Sequence, residues 1–292
     1  EAVQEALNEE QARKVTQNKG KFDLLIVRHI LEHVYNFHQF MAGIKELLKP
    51  EGYVLFEVPD YSRNFENLDY SSIWEEHVVY FTPETFKNSF GLAGFSVEYF
   101  RSYPYTMEDC LVAIVRKVPE SNYRDTSEKL EKYRFDQEKI EREKERALRF
   151  FELFPPLRES LRYFLSTYLK EKGKIAVFGA GHTADLLINV MGLQDYLTCV
   201  IDDNENKKKL FMPGSKLPIR SSSALIEENI KLCLFCLNPD VEEKIKARND
   251  NFLERRGEFL SFSPASKYSL LNHFKEIQEK KIESNSNNNF SE

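Results

Sequence analysis

Phe22-Asp23-Leu24-Leu25-Ile26-Val27 is followed directly by Arg28-His29-Ile30-Leu31-Glu32-His33. The first six residues are mostly apolar, which is typical of a parallel strand that is buried on both faces. Polar side chains begin where that strand should end. Because open parallel sheets bind ligands beyond the carboxyl ends of their strands, this segment predicts an α/β fold with a site directly after the strand.

A predicted helix and a second strand complete an α/β unit. Apolar residues recur at helical spacing over 37–48, and Lys49-Pro50-Glu51-Gly52 predicts a turn. Tyr53-Val54-Leu55-Phe56-Glu57-Val58 predicts the next strand. Such a crossover is right-handed in nearly all proteins, so both polar strand ends should meet at one edge of a sheet. A short helix and two further strands are predicted over 83–90, 95–100 and 111–115.

The second half contains another α/β pattern. The predicted strand Lys174-Ile175-Ala176-Val177-Phe178 leads into Gly179-Ala180-Gly181-His182-Thr183-Ala184. The next predicted strand, over 197–201, ends at Asp202. A glycine-rich turn between a strand and a helix, with an acidic residue about 20 positions later, is typical of dinucleotide-binding folds. A further strand is predicted over 232–237.

A charged segment joins the two halves. Glu, Lys and Arg alternate over 125–154, which predicts a solvated helix with ion pairs between residues four apart. Pro155-Pro156 predicts a break in this helix, and a second helix is expected over 157–169. The predicted segments are a partial α/β domain over 1–124, a helical connector over 125–172, a second α/β domain over 173–282 and a disordered tail over 283–292.

The composition excludes several classes of protein. A chain of 292 residues with 41% apolar and 13% aromatic residues is globular and long enough for two cores. A net charge of -6 without a basic stripe argues against nucleic-acid binding. No apolar run approaches the roughly 20 residues that span a bilayer, and no signal peptide is visible. We therefore expect a cytoplasmic protein that binds neither nucleic acid nor membrane.

The cysteines predict no metal site. Cys233-Leu234-Phe235-Cys236 has the spacing of a redox or zinc motif, but no second Cys/His pair lies near it. Each of the four cysteines lies in or beside an apolar segment, so we expect buried thiols in a reducing compartment. No residue is assigned as a metal ligand.

The first half resembles the class I S-adenosylmethionine-dependent methyltransferases. Its two polar strand ends look like those of the family's fourth and fifth strands, and Lys49-Pro50-Glu51-Gly52 lies where the family has a Lys-Pro-Gly-Gly turn. The resemblance implies a Rossmann-like sheet and S-adenosyl-L-methionine as the cofactor of the full-length parent. It also implies that Arg28, His29 and Glu32 line the cofactor side. An unrelated α/β fold with polar strand ends is the alternative.

A second motif resembles a narrower family. The run Trp74-Glu75-Glu76-His77-Val78-Val79-Tyr80-Phe81-Thr82 is similar to the Tyr-His-Glu-His…Tyr-Phe-Ser segment of nucleotide-sugar C-methyltransferases. The resemblance implies that His77 is the general base, that Glu76 supports it, and that Trp74 replaces the family's Tyr. An imidazole, whose ordinary pKa is about 6.5, can remove a proton from a carbon beside a ketone near neutral pH. The alternative for His77 is a loop histidine hydrogen-bonded to the backbone.

The first half of the chain departs from this narrower family at three places, and in the second half Gly181-His182-Thr183 replaces the Pro-Ala-Lys portion of the family's glycine loop. Trp74 has no phenol, and Glu75 replaces the family's first His. Met107-Glu108-Asp109-Cys110-Leu111 stands where the family has Gly-Gly-Ser-Leu-Arg. These departures leave an acceptor other than a sugar open.

The second half is similar to the carboxy-terminal Rossmann-like domain of the same family. Asp202-Asp203-Asn204-Glu205-Asn206-Lys207 resembles its Asp-Asp-Asn-Pro-x-Lys turn, and Met212-Pro213-Gly214-Ser215-Lys216-Leu217-Pro218-Ile219 resembles its Pro-Gly-x-x-Ile-Pro-Ile segment. The alternative is a purely structural glycine turn. The resemblance implies that a nucleotide sugar is held by Gly179, Ala180, Gly181, His182 and Asp202.

The resemblance extends over about residues 21–262. The family's zinc module and Gly-x-Gly-x-Gly loop have no counterpart in it, so we expect a truncated methyltransferase domain that does not bind S-adenosylmethionine measurably. The function predicted for the parent is methyl transfer to a carbon of a small molecule, a keto nucleotide sugar. The alternatives are a non-catalytic nucleotide-sugar-binding protein and an NAD-linked oxidoreductase. No hydride-transfer residues accompany the glycine loop, which disfavours the last of these.

Overall fold

A computed structural model describes residues 2–105, 108–118 and 137–270. The helices are α1 (Glu9–Lys19), α2 (Phe37–Leu47), α3 (Ser62–Asn67), α4 (Pro83–Leu92), α5 (Gln137–Glu171), α6 (His182–Met191), α7 (Ala224–Glu227), α8 (Glu242–Arg248) and α9 (Asp250–Glu254). The strands are β1 (Phe22–Arg28), β2 (Leu48–Asp60), β3 (Phe95–Tyr103), β4 (Asp109–Lys117), β5 (Lys174–Phe178), β6 (Cys199–Ile201), β7 (Ile219–Arg220), β8 (Ile230–Phe235) and β9 (Glu258–Ser261).

The described residues form two compact units, and α5 contributes to both. The first unit contains the chain up to Glu66 and from Trp74 to Arg149, and the second contains Asn67–Ile73 and the chain from Phe150 onward. Residues 125–136 of the predicted connector and the predicted tail over 283–292 lie outside the described residues.

The first unit has a four-stranded sheet in the order β1-β2-β4-β3. β1 and β2 are parallel, with Val27 opposite Phe56, as the α/β pattern predicts. β4 lies antiparallel between β2 and β3. Along the central part of β2 burial alternates, and Val54, Phe56 and Val58 are fully buried. These residues pack against α2 and α4 and fix both strand ends at one edge of the sheet.

The turn predicted at Lys49-Pro50-Glu51-Gly52 is wrong, because these residues belong to β2. Leu48 pairs with Phe22 and Tyr53 with Leu24, so β2 carries extra residues that bulge from the pairing. The Lys49 ammonium lies 2.8 Å from the Asp23 carboxylate across the bulge. At Gly52 a Cβ atom would lie 3.0 Å from the Asp23 carbonyl oxygen of the neighbouring strand, a close backbone approach that favours glycine.

The second unit has a five-stranded parallel sheet in the order β7-β6-β5-β8-β9. Apolar clusters cover both of its faces, and therefore its central strands are continuous apolar runs. The strands predicted near 174–178, 197–201 and 232–237 are confirmed as β5, β6 and β8. The two sheets confirm the predicted α/β class. Cys233 and Cys236 are free, buried thiols, and burial raises the pKa of both well above its ordinary value.

The predicted break at Pro155-Pro156 is wrong, because α5 continues through both prolines. A proline inside a helix costs about 3 kcal/mol through its missing N–H and the clash of its ring. Leu157, Leu161 and Leu165 recur every four residues directly after the prolines and are at most 1% exposed. Their burial in the second unit favours a continuous helix over the predicted break. None of the helices in the described ranges has both the length and the apolarity needed to cross a membrane.

Candidate functional site

His77 lies in the loop between Ile73 and α4, beside the carboxyl end of β2. Its Nδ1 atom lies 2.9 Å from the hydroxyl oxygen of Tyr61, the residue that directly follows β2. The Tyr61 side chain is 2% exposed, and its backbone N–H donates to the Phe81 carbonyl at 2.9 Å. The loop is therefore attached at this point to the end of β2.

The backbone of Glu32 attaches the same loop to the segment that follows β1. The Glu32 carbonyl accepts hydrogen bonds from the N–H groups of Val78 (2.9 Å) and Val79 (3.2 Å). Residues Leu31–His33 form a short 3-10 helix, which presents this carbonyl to the loop. The two polar strand ends of the sequence therefore meet, as the topology of a parallel strand pair requires.

His33 contacts His77 directly. The two rings meet edge to face with centroids 4.7 Å apart, and His33 Nδ1 lies 3.0 Å from the Glu76 carbonyl oxygen. Sequence analysis did not assign His33 to the site. Its position in the sequence could have indicated it, because His33 directly follows Glu32 in the polar segment after β1.

The Glu32 carboxylate is 1% exposed, and neither of its oxygens has a hydrogen-bond partner within the described ranges. His29 Nδ1 approaches Oε1 to only 3.5 Å, which is long for a hydrogen bond. Burial raises the pKa of this carboxyl. A Glu32 oxygen and one ring nitrogen each of His33 and His77 lie within 4.8 Å of one another, a donor set that could hold a divalent cation.

Trp74 and Tyr80 enclose His77 with aromatic surface. The Trp74 ring stacks on the imidazole at a centroid distance of 5.9 Å, and the Tyr80 ring packs against Tyr61 at 4.5 Å. The Tyr80 hydroxyl donates to the Trp74 carbonyl at 3.0 Å. Burial raises the pKa of Tyr80, so its phenol remains neutral near neutral pH.

Glu76 is adjacent to His77 in the sequence and was predicted to support it, but the Glu76 carboxylate does not contact the imidazole through a hydrogen bond in the described residues. Glu76 is exposed. Its carbonyl, by contrast, bonds His33. Tyr61, which is separated from His77 by 16 positions, is a hydrogen-bond partner of its imidazole.

Arg28 and His29 lie at the carboxyl end of β1 and share one partner, Glu57 of β2. Arg28 binds the Glu57 carboxylate through Nε at 2.6 Å and Nη2 at 2.9 Å, and His29 Nε2 lies 3.3 Å from it. The Arg28 hydrogen bonds lower the pKa of Glu57, against the opposing effect of burial. Arg28, His29 and Glu32 were predicted to line the cofactor side together. Arg28 and His29 are exposed, whereas Glu32 is buried beneath the loop that contains His77.

In the second unit, the glycine loop after β5 requires glycine at its first position. Gly179 has φ 109°, and a Cβ atom there would lie 2.7 Å from the Cys236 carbonyl oxygen. Gly181 caps the amino terminus of α6 and faces open space, and His182 begins the helix. The loop thus leaves room beside the first turn of α6, where an anion is favoured.

Asp202, predicted to contact the ligand, holds the glycine loop itself. Its Oδ2 atom accepts a hydrogen bond from the Ala180 N–H at 3.0 Å and lies 2.9 Å from Lys207 Nζ. Lys207 also donates to the Ala180 carbonyl at 2.8 Å. Burial would raise the pKa of Asp202, but hydrogen bonds from Lys207, Asn204 and Ala180 outweigh it and lower the pKa. We call Asp202, Lys207 and Ala180 the loop clamp.

Two family models match the chain. One, described as the C-methyltransferase C-terminal domain, matches residues 111–264, just over half of the chain. The other, described as a methyltransferase domain, matches residues 2–99. These matches confirm the predicted relation to methyltransferases. No curated protein matches the chain at a significant level.

Several solved structures are also similar. A SAM-dependent methyltransferase from Methanosarcina mazei is 17% identical over 34% of this chain and 61% of its own, with a TM-score of 0.28. One from Anabaena variabilis is 14% identical over 40% of this chain and 58% of its own, with a TM-score of 0.31. Magnesium protoporphyrin IX methyltransferase from Synechocystis, with bound SAH, is 14% identical over 36% of this chain and 48% of its own, with a TM-score of 0.27. The chain spans about half to three-fifths of the length of these structures.

Proposed function

Because the chain belongs to the family defined by the C-methyltransferase C-terminal domain, we propose that it serves S-adenosylmethionine-dependent methyl transfer to a carbon atom beside a ketone. The acceptor we propose is a keto nucleotide sugar, and His77 is the general base. The observation that carries this proposal is the position of His77 at the joined carboxyl ends of β1 and β2, bonded to Tyr61 and enclosed by aromatic rings.

Methylation of a carbon beside a ketone requires the protein to remove a proton from that carbon, and the proposed base does so. His77 takes the proton from the carbon beside the ketone, and the electron pair of the broken C–H bond moves into an enolate on the acceptor. With the donor bound, the enolate carbon would form the new bond to the methyl group as the methyl–sulfur bond breaks, and the electron pair of that bond would stay on the sulfur as a neutral thioether. Alignment of the carbon and exclusion of water are the other requirements, and Trp74 and Tyr80 provide an apolar wall for both.

The residues assigned to the cofactor fit it only in part. Arg28 and His29 are exposed at the carboxyl end of β1, where polar groups of a ligand could reach them, although Glu57 already pairs with both. Glu32 does not fit, since its carboxylate is buried beside His77. S-adenosylmethionine, when bound, supplies a methyl group already activated by its sulfonium. The residues of this chain would then only have to align the acceptor carbon with that methyl group.

The second unit is proposed to hold the nucleotide sugar. The support is the open glycine loop at the amino terminus of α6 and the resemblance of this domain to that of nucleotide-sugar C-methyltransferases. The first turn of α6 favours a phosphate oxygen through its backbone N–H groups and helix dipole. The loop clamp keeps Asp202 bonded within the protein, so this carboxylate holds the loop in shape rather than binding the sugar.

Hydrogen exchange on the acceptor tests the base without requiring the methyl donor. The chain would be mixed in D2O with a panel of nucleoside diphosphate keto sugars, and proton NMR would follow the C–H signal beside the ketone. We expect this signal to disappear faster than in buffer alone. His77→Asn should abolish the acceleration, whereas His38→Asn, which changes an exposed histidine of α2, should leave it unchanged.

Binding without exchange would favour the second candidate, a nucleotide-sugar-binding protein without catalysis. Trp74 favours that candidate, because it removes the phenol of the family motif. Calorimetric titration with a nucleotide sugar and, separately, with NAD distinguishes the remaining alternatives. NAD is disfavoured, since the carboxylate that would bind its ribose is engaged in the loop clamp.

A further inference from the structure

The buried carboxyl group of Glu32 has no hydrogen-bond partner among the described residues, although its backbone carbonyl has two. The side chain is 1% exposed, and its contact with His29 Nδ1 is long, at 3.5 Å. Burying a carboxylate is strongly unfavourable unless the group is protonated or bound to a cation. A cation that reaches Glu32 would therefore be bound there.

Two imidazoles lie close enough to Glu32 to bind the same cation. One Glu32 oxygen and one ring nitrogen each of His33 and His77 lie within 4.8 Å of one another. The ligand atoms of a tetrahedral zinc ion lie about 3.4 Å apart, so side-chain movements of about 1 Å would bring all three onto one ion. The three side chains therefore form a donor set of metal-site dimensions.

The hydrogen bond of His33 gives this imidazole the tautomer that a metal ligand needs. His33 Nδ1 lies 3.0 Å from the Glu76 carbonyl oxygen, which can only accept a hydrogen bond, so Nδ1 carries the ring proton. In the neutral ring the lone pair then lies on Nε2. Histidines that bind metal ions in proteins almost always donate their other ring N–H to such a partner.

Backbone hydrogen bonds hold together the two segments that carry these side chains. The Glu32 carbonyl accepts from the N–H groups of Val78 at 2.9 Å and Val79 at 3.2 Å, directly after His77 in the sequence. The Glu76 carbonyl, directly before His77, binds His33. Because the loop is attached on both sides of His77, the three ligands would lose little conformational freedom when an ion binds.

We propose that Glu32, His33 and His77 form a binding site for one divalent transition-metal ion of the class to which Zn²⁺ belongs. Two imidazole nitrogens and one carboxylate oxygen suit this class, whereas Mg²⁺ and Ca²⁺ prefer oxygen ligands. Three protein ligands also leave a coordination position for water or another small ligand.

A second group, His29, Glu57 and Cys110, fits such an ion less well. Its donor atoms also lie within 4.8 Å of one another. The Glu57 carboxylate, however, is already bound by Arg28 through Nε at 2.6 Å and Nη2 at 2.9 Å. Burial raises the pKa of the Cys110 thiol to about 11, whereas the metal ligand is the thiolate. An ion would have to displace both Arg28 and a proton.

The ion and the acceptor would compete for His77. A neutral imidazole has one nitrogen lone pair, which either accepts a proton or binds a metal ion. His77 therefore cannot act as a base while it is a metal ligand, and zinc should inhibit the proposed reaction. This consequence rests on the proposed function, whereas binding of the ion does not.

Calorimetric titration of the chelator-treated chain with ZnCl2 tests the site. We expect one Zn²⁺ per chain and no comparable binding of MgCl2. Glu32→Gln and His33→Asn each remove one ligand and should weaken zinc binding more than about 100-fold, beyond the usual effect of losing a residue that only orients a ligand. His38→Asn, an exposed histidine of α2, and Cys110→Ser, from the second group, are the controls and should bind as the wild type does.

Thermal unfolding with and without ZnCl2 shows whether a variant that binds no zinc has simply failed to fold. The wild type should melt at a higher temperature with zinc, because an ion that binds only the folded chain stabilises it. Glu32→Gln removes a buried charge, so it should melt cooperatively without zinc and show no shift with it. Equal zinc binding by wild type and Glu32→Gln, or its loss in Cys110→Ser, would overturn the proposed ligands.

The hydrogen-exchange assay separates failure of this site from failure of the proposed function. Zinc binding with the expected variants, in a chain that never exchanges the acceptor proton, would support the metal site and count against the base. Exchange by a chain that binds no zinc would support the base and overturn the site. Exchange that continues unchanged with one bound Zn²⁺ would overturn the competition for His77.

Discussion

His77 is the proposed general base, and its replacement gives the largest expected effect of any single residue. In the protein that transfers the methyl group, His77→Asn should lower the rate by about 10²–10⁴ while acceptor and cofactor bind nearly as before, because asparagine keeps the approximate volume but cannot take the proton. Single-turnover methyl transfer with saturating substrates, together with binding constants, measures this. A variant that keeps more than about a tenth of the rate would remove His77 from the role of base.

Glu76→Gln provides the contrast at the neighbouring position. The exposed Glu76 carboxylate forms no hydrogen bond with His77 in the described ranges, so its replacement should change the rate far less than His77→Asn does. The same single-turnover assay compares the two variants. An equally large loss in Glu76→Gln would mean that this carboxylate reaches the reacting groups when substrate is bound.

Asp202 predicts a pH-dependent contribution to stability. Its folded pKa is lowered, so the stabilisation is present above the unfolded pKa of about 3.9 and is lost as the pH falls through the folded value. Asp202→Asn should therefore cost about 1.5–3 kcal/mol of unfolding free energy near neutral pH, the usual worth of hydrogen bonds to a charged group. Urea unfolding from pH 7 to pH 3 should show this difference shrinking below about pH 4. A constant difference across that range would exclude the carboxylate charge as its source.

At the scale of one element, α5 tests why a helix continues through two prolines. If burial of its leucine stripe outweighs the proline cost, then Leu161→Ala should lower the unfolding free energy by about 2–5 kcal/mol. Tyr163→Ala is the matched control on the same helix, since Tyr163 is 75% exposed and its loss should change stability by no more than about 0.5 kcal/mol. Chemical denaturation followed by circular dichroism measures both. Equal effects would mean that the stripe does not hold the helix together.

At the scale of the whole molecule, the second unit is expected to fold without the first. A fragment of residues 157–274 contains β5 to β9 and most of both apolar clusters. It lacks Asn67–Ile73, where Tyr70 is buried and its hydroxyl bonds the Phe150 carbonyl. The fragment should melt cooperatively with dispersed amide signals, but at a lower temperature than a longer fragment that begins at Asn67. If it shows neither property, its boundaries do not enclose an independent domain.

Local patterns in the sequence predicted most of the strands, but not the extent of β2 or the continuity of α5. Apolar runs predicted β1, β5 and β8, because strands covered on both faces must be apolar along their whole length. Gly20, with φ 77°, ends α1, and the side chain of Thr82 caps the start of α4. At each of these two positions a single residue therefore defines the end of a helix. The polar clusters after β1 and β2 predicted the edge of the sheet at which we propose the site, because parallel strands end together.

Only the tertiary structure decided which residues share the site. The sequence paired His77 with its neighbour Glu76, whereas the fold pairs it with Tyr61, because the end of β2 and the loop before α4 meet in space. Helix α5 passes through Pro155 because its leucines are buried. Each of these outcomes depends on contacts between residues distant in the chain, whose burial and hydrogen bonds outweigh local preference and which no local pattern encodes.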